Sequence, residues 1–279
     1  MKNKLKHSLL IVALFFLFSN IIMAQLRFDY PVEIIEEAEK QAIYSLSYIL
    51  DSTNTEFIRH ENMLLLLGRN TSLFTSLSSF QWYTDIKQIT NFTQFQEYTA
   101  SGAVPITPFK YKIIKNYPPG KLTFINHIPS DTYRYEEKLD LFKWQLTTDT
   151  ATILDYKAQK AVCDYGGRSW VAWFCSEIPY SDGPYKFNGL PGLIIKIYDK
   201  RNHYVFELTS FGAATENTNI EYMVKTFIET NKQGYFKAKD GFRNDIINRA
   251  DQAGLDAEFQ QKLGQKLKSR NNPIELNRN

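Results

Sequence analysis

The chain has 279 residues, of which 43% are hydrophobic and 15% aromatic, with 33 basic residues against 30 acidic ones. That hydrophobic content can fill a sizeable core and excludes a disordered chain. The near-balanced charge excludes the basic footprint that nucleic acid or an anionic membrane surface would require.

Lys2, Lys4 and Lys6 precede an unbroken apolar run from Leu9 to Phe18, a polar break at Ser19 and Asn20, and then Ile21 to Ala24. This is the layout of a secretory signal peptide, with cleavage expected after Ala24. The apolar run falls short of the roughly 20 residues a membrane-spanning helix needs. Gln25 stands where a lipoprotein would carry its acylated cysteine, so no lipobox is present. Residues 1–24 are therefore set apart as the signal. The mature chain is expected to be periplasmic or secreted, without a transmembrane segment and with balanced charge.

Residues 25–231 are expected to form an antiparallel β-rich domain. Val32 to Gln41 is acidic and reads as a short helix, whereas Ala42 to Leu50 alternates Tyr44, Leu46, Tyr48 and Leu50 with period two and reads as a strand. Glu61 to Gly68 contains five consecutive large apolar residues, Met63 to Leu67, and suits a strand buried on both faces. Ser72 to Thr99 fits a helical stripe through Leu73, Leu77, Phe80, Ile86 and Phe95.

Tyr117-Pro118-Pro119-Gly120 marks a turn, and Lys121 to Ile128 and Thr132 to Leu139 read as strands about the Pro129-Ser130-Asp131 turn. A meander follows: Trp144 to Thr147, Lys157 to Asp164, Arg168 to Cys175, Leu193 to Tyr198 and Tyr204 to Ser210. Short turns join them, so neighbours pair antiparallel. Residues 232–279 are helical in character. Phe242, Ile246, Ile247 and Ala250 mark one helix ended by Gly254; Leu255, Phe259, Leu263 and Leu267 mark a second with Asp256 as N-cap. Ten basic and six acidic residues lie from Lys232 onward, the pattern of solvated helix faces. The fold class is α+β and β-dominated, a curved antiparallel meander sheet with C-terminal helices.

Cys163 and Cys175 would meet an oxidising compartment after export. A two-residue turn at Gly166-Gly167 pairs Tyr165 with Arg168, Cys163 with Trp170 and Ala158 with Cys175. In that register the sulfurs lie several residue pairs apart, beyond the reach of a disulfide, which tolerates a Cα separation of about 7 Å. Two unpaired, buried thiols are expected.

The hexapeptide Gly189, Leu190, Pro191, Gly192, Leu193 and Ile194 matches the signature of the GLPGLI family. The surrounding pattern is similar too: Trp144, Tyr156, Lys160-Ala161, Arg168, Ala172-Trp173-Phe174, Glu177-Ile178-Pro179, Gly183-Pro184, Lys186-Phe187 and Asn272-Pro273-Ile274-Glu275-Leu276. The resemblance is strong from Trp144 to Asp199 and implies an exported Bacteroidetes protein without a known reaction. Family members often carry a cysteine where this chain has Ala158, so no thiol role carries over to that position. The glycines and the proline of the hexapeptide suit a structural bend into a buried strand.

No catalytic residue and no metal ligand set is evident, and no cofactor motif is present. His60, His127 and His203 stand at no metal-ligand spacing. Glu177 and Asp182 flank one loop and are the only carboxylates suggesting a hydrolase. Asp51-Ser52-Thr53 and Asp149-Thr150-Ala151 resemble O-glycosylation acceptors of Bacteroidetes envelope proteins. The better hint lies in Trp170, Trp173 and Phe174, candidate binding residues on a strand apolar on both faces. They suggest a non-enzymatic binding or carrier module for an apolar small molecule. The alternatives are an accessory or assembly protein with an envelope partner and, last, a carboxylate-dependent hydrolase.

Overall fold

The computed structural model describes residues 30–252, 254 and 256–278. The signal peptide lies outside them, as do Leu255 and the side chains of Ile247 and Ala250. Fourteen strands are described: β1 (Val32–Glu37), β2 (Lys40–Tyr48), β3 (Arg59–Leu67), β4 (Ser72–Ser76), β5 (Lys112–Lys115), β6 (Lys121–Ile128), β7 (Asp131–Lys138), β8 (Gln145–Ile153), β9 (Tyr156–Tyr165), β10 (Arg168–Cys175), β11 (Leu193–Asp199), β12 (Tyr204–Ala213), β13 (Asn219–Met223) and β14 (Phe227–Glu229). Four helices accompany them: α1 (Leu77–Ile86), α2 (Phe92–Ala100), α3 (Lys232–Gln252) and α4 (Ala257–Lys268). The fold is β-dominated α+β, with mostly antiparallel strands and C-terminal helices.

The chain divides into two compact units. In the smaller, whose described residues are Tyr30–Pro31 and Gln81–Ile106, Asn91 caps α2 by accepting from the Gln94 amide at 3.0 Å. The larger holds a 12-stranded sheet in the order β14-β7-β6-β5-β4-β3-β2-β12-β11-β10-β9-β8, plus the antiparallel pair β1-β13. Only the β14-β7 pairing is parallel among those described.

The apolar run of β3 is divided between two cores. Met63, Leu65 and Leu67 face the main cluster, which extends through Phe74, Phe124, Trp170 and Phe206. Leu64 and Leu66 face a second cluster in which Ala38, Ile220 and Tyr222, from the chain around β1 and β13, cover the sheet. A strand covered on both faces has no polar side to expose, hence the unbroken run.

Two segments differ from the expected elements. Val32–Glu37 is strand β1, not helix, because its acidic residues find tertiary partners. Glu33 accepts from the hydroxyls of Tyr117 and Tyr222, and Glu36 accepts from the Thr71 amide at 2.5 Å. Ser72–Ser76 is strand β4, all five residues buried between β3 and β5, and helix begins only at Leu77. The strands β5, β13 and β14 were not anticipated.

The β9-β10 hairpin has the expected register, with Arg168 opposite Tyr165 and Trp170 opposite Cys163. Gly166 and Gly167 both take positive φ, 60° and 79°, as a tight two-residue turn matching sheet twist requires. Both cysteines are free and buried. Asp256 caps α4, accepting from the Phe259 amide at 2.8 Å.

The GLPGLI stretch is a bend leading into β11. Gly192 has φ 148°, and any Cβ there would overlap the carbonyl of Cys175 at the end of β10. Behind it, Leu190, Leu193 and Ile194 are buried, and Tyr44 donates to the Ile194 carbonyl at 2.8 Å.

Two measurements check these placements. Gly192→Val is expected to lower unfolding free energy by more than about 3 kcal/mol in urea titration, because backbone strain and overpacking act together. Iodoacetamide at pH 8 should leave both thiols unmodified in the native protein and alkylate both in urea; native labelling of either would refute their burial.

Candidate functional site

Three buried ionic clusters hold the chain around β10, each built from residues distant in sequence. In the first, the Arg168 guanidinium donates to Asp199 at 2.9 Å, to the Asn272 side chain at 2.6 Å, and to the carbonyls of Pro273 and Ile274 at 2.7 and 3.0 Å. Asp199 in turn accepts from the Tyr204 amide at 2.8 Å. In the second, Lys115 of β5 is buried, pairs with Asp182 and donates to the Gly183 and Phe187 carbonyls at 2.6 and 3.1 Å. Burial lowers the Lys115 pKa, against the pull of Asp182. Ser72 also donates to Asp182, at 2.5 Å.

The third cluster centres on Lys186, which is 0% exposed. It pairs with Glu137 of β7 and with Glu275 at 2.7 Å, while Lys232 of α3 reaches Glu275 at 2.5 Å and Tyr185 donates to Glu275 at 2.5 Å. Burial would raise the Glu275 pKa, but the charges of Lys186 and Lys232 outweigh it and hold the carboxylate at about 2. Burial would lower Lys186, and Glu275, Tyr165 and Glu137 reverse that and raise it. Two cations against two carboxylates leave the cluster neutral.

The first and third clusters fasten a strap, Asn272 to Asn277, across the β9-β10 turn. Leu276 and Asn277 donate their amides to the Gly166 carbonyl at 2.6 and 3.0 Å, and the Asn272 amide donates to the Leu50 carbonyl at 3.0 Å. Closed, neutral and hydrogen-bonded, these groups are architecture. Lys186 and Glu275 belong to the pattern noted in the sequence, but nothing in the chain order signals that they meet.

The named aromatic residues separate. Trp170 and Phe174 are core residues, 0% and 1% exposed, and Phe187 packs on Trp170 with ring centroids 4.7 Å apart at 61°. The Trp170 indole donates to the Tyr165 carbonyl at 3.1 Å. Trp173, on the opposite face of β10, is half-buried. Glu177 is exposed, and Asp182 is taken up by Lys115 and Ser72, which leaves no free carboxylate pair on that loop. His60 bonds to Ser47, His127 to Thr132 and the Asp131 backbone, and His203 to Asn272. Among the described residues no group of three or more His, Cys, Asp or Glu is placed to hold a metal ion.

Trp173 lines an open depression of about 380 Å³ with Ala151, Ile153, Lys196, Tyr198, Asn202 and Val205. Trp173 stands opposite Lys196 of β11 and Lys160 of β9, and Tyr198 opposite Val205 of β12. The depression thus crosses the sheet, from β8 at its end past Trp173 of β10 to β12 and the β11-β12 turn at Asn202. Lys196 pairs with Glu207 at 2.6 Å and Lys160 with Asp149 at 2.8 Å, so neither cation is uncompensated. Among the described residues, neither the Trp173 indole N–H nor the Tyr198 hydroxyl has a hydrogen-bond partner, and no ring stacks on Trp173. An aromatic body with an unused polar tip at a wet surface is suited to contact a ligand.

A family model described as "Protein of unknown function (Porph_ging)" matches residues 167–196, which include the GLPGLI hexapeptide. No curated protein matches the chain. The structure of PNGF-II in the P21 space group is similar, with a TM-score of 0.51 and 14% identity over 74% of this chain; its structure in the C2 space group gives 0.49 at the same identity and coverage. The chain spans 34% and 33% of those two chains. At this identity the first likeness is one of fold.

Glu275→Gln should destabilise the protein by about 3–5 kcal/mol, since it leaves Lys186 buried with half its charge compensation removed. The depressed Glu275 pKa contributes stability that is complete above its ordinary 4.5 and lost as pH falls from there towards 2. Denaturant unfolding should therefore show the gap between wild type and variant closing across that window. A gap independent of pH would contradict the assignment.

Proposed function

We propose that this chain is a non-enzymatic binding module of the cell envelope whose contact surface is the Trp173–Tyr198 depression. The observation that carries the reading is that two aromatic residues, with unused hydrogen-bonding tips, sit in an open hollow on paired strands near one end of a sheet. Interior sheet positions facing solvent ordinarily carry polar residues, whereas large amphipathic rings there favour ligand contact.

The ligand-bearing face shifts relative to an apolar carrier. A carrier would enclose its cargo against Trp170 and Phe174, and that space is filled by Phe187. The family match adds no reaction, and the likeness to PNGF-II covers a third of that chain, so neither supports an enzyme here. Export, inferred from the amino-terminal lysines and apolar run, supports the envelope.

Thermal-shift screening against separate sets of oligosaccharides, extended peptides and fatty acids tests the reading. At least one set should raise the wild-type melting temperature by a few degrees, as binding to the native state alone requires. Trp173→Ala should melt within a few degrees of wild type and lose that shift. A shift retained in the variant, or none with any set, would refute the site.

A further inference from the structure

Resting on that reading, we infer that the depression recognises a neutral oligosaccharide spanning at least two sugar rings. Four observations point to this ligand chemistry. The floor of the hollow is sheet face: β10 and β11 are paired on both sides, with β9, β11 and β12, so their backbone groups are already used. An extended peptide, which draws much of its affinity from main-chain pairing to a free strand edge, finds none at Trp173 or Tyr198; the lining strand at a sheet end is β8, which contributes Ala151 and Ile153.

The hollow is open and lined by Lys196 and Asn202 as well as by apolar groups. An acyl chain, with no polar atoms to meet those groups, gains only where it is enclosed on most sides. Lys196, the charged residue in the lining, is matched by Glu207, and neighbouring Lys160 by Asp149, so neither offers an uncompensated charge to an anion.

What remains is a ligand with flat apolar faces edged by hydroxyl groups. A pyranose ring has this form: its axial C–H groups lie against an aromatic face while its hydroxyls reach groups at the rim. Trp173 supplies one face and Tyr198, over whose ring the Lys196 ammonium lies 5.9 Å from the centroid, supplies a second; the indole N–H, the phenol, Lys196 and Asn202 supply rim donors and acceptors. Tyr198 lies two residues along β11 from the partner of Trp173, about 7 Å along the strands and about 5 Å across them. That separation exceeds one ring, so two successive sugar rings are needed to cover both platforms.

Isothermal titration of the full chain with maltohexaose, cellohexaose and chitohexaose tests the inference. At least one should bind, with an affinity that changes less than twofold between 50 and 500 mM NaCl. Trp173→Ala should weaken it at least tenfold, Trp173→Phe less because a ring is kept, and Tyr198→Ala by several-fold, with each variant shown by its melting curve to be folded at the titration temperature. If all three sugars fail while a peptide or fatty acid binds in a Trp173-dependent way, the saccharide inference falls and the binding module stands. If nothing binds, both fall. A sugar that binds equally to wild type and Trp173→Ala, or whose affinity drops steeply with salt, would also overturn the inference.

Discussion

Lys186 is the constraint on which the arrangement around β10 depends. An ammonium with no exposure is strongly disfavoured unless carboxylates surround it, and its two partners come from distant segments of the larger unit, one on either side of it in the sequence. Glu137 arrives on β7 and Glu275 on the strap, with Lys232 of α3 as the fourth charge. The cluster is neutral only when all four segments are in place. The loop that carries Lys186 also carries Phe187, whose ring lies on Trp170, so seating the ammonium and filling the core are one event. Arg168 repeats the device at the other end of the strap, gathering Asp199, Asn272 and two carbonyls.

This closure decides which face of β10 remains for function. One face is sealed by the loop from Glu177 to Gly192, and that loop is pinned by Lys115 through Asp182. The distinctive residues of the stretch, Gly192, Lys186 and Arg168 among them, are thereby accounted for by folding. A fold shared with part of PNGF-II is compatible with this, since a scaffold carries many functions and the site must be argued from its own side chains. The residue left over is Trp173, which packs against the main core cluster yet stays half-buried beside the open depression.

The parts legible in the sequence were those decided locally. Two glycines at 166 and 167 set the β9-β10 register pair for pair, because a two-residue turn fixes which residues face each other. The run Met63 to Leu67 announced a strand covered on both sides, and Asp256 announced a helix start. Where tertiary partners override local pattern, reading fails: the acidic character of Val32 to Gln41 reads as a short helix, yet Glu33 and Glu36 are engaged by tyrosines and by the Asn70-Thr71 turn. Period two along β10 separated Trp173 from Trp170 and Phe174, but not which side the core would occupy. Nothing in chain order could show that Lys186 meets Glu275.

Charge compensation runs through the whole design and bears on recognition. Each buried cation described above has its carboxylate, and the lysines beside the open hollow are matched in the same way. Long-range attraction therefore contributes little to capture at this face, and association proceeds at the ordinary rate set by orientation. Affinity must then come from short-range contact, in which the aromatic platforms offer area with few rotatable bonds to immobilise. A rigid sheet presenting two rings at fixed spacing loses little entropy on binding, and it discriminates by whether successive flat faces of the ligand recur at that spacing. On the proposed reading, selectivity at this surface would be a matter of ligand geometry, set by the strand rise and the β10-β11 pairing.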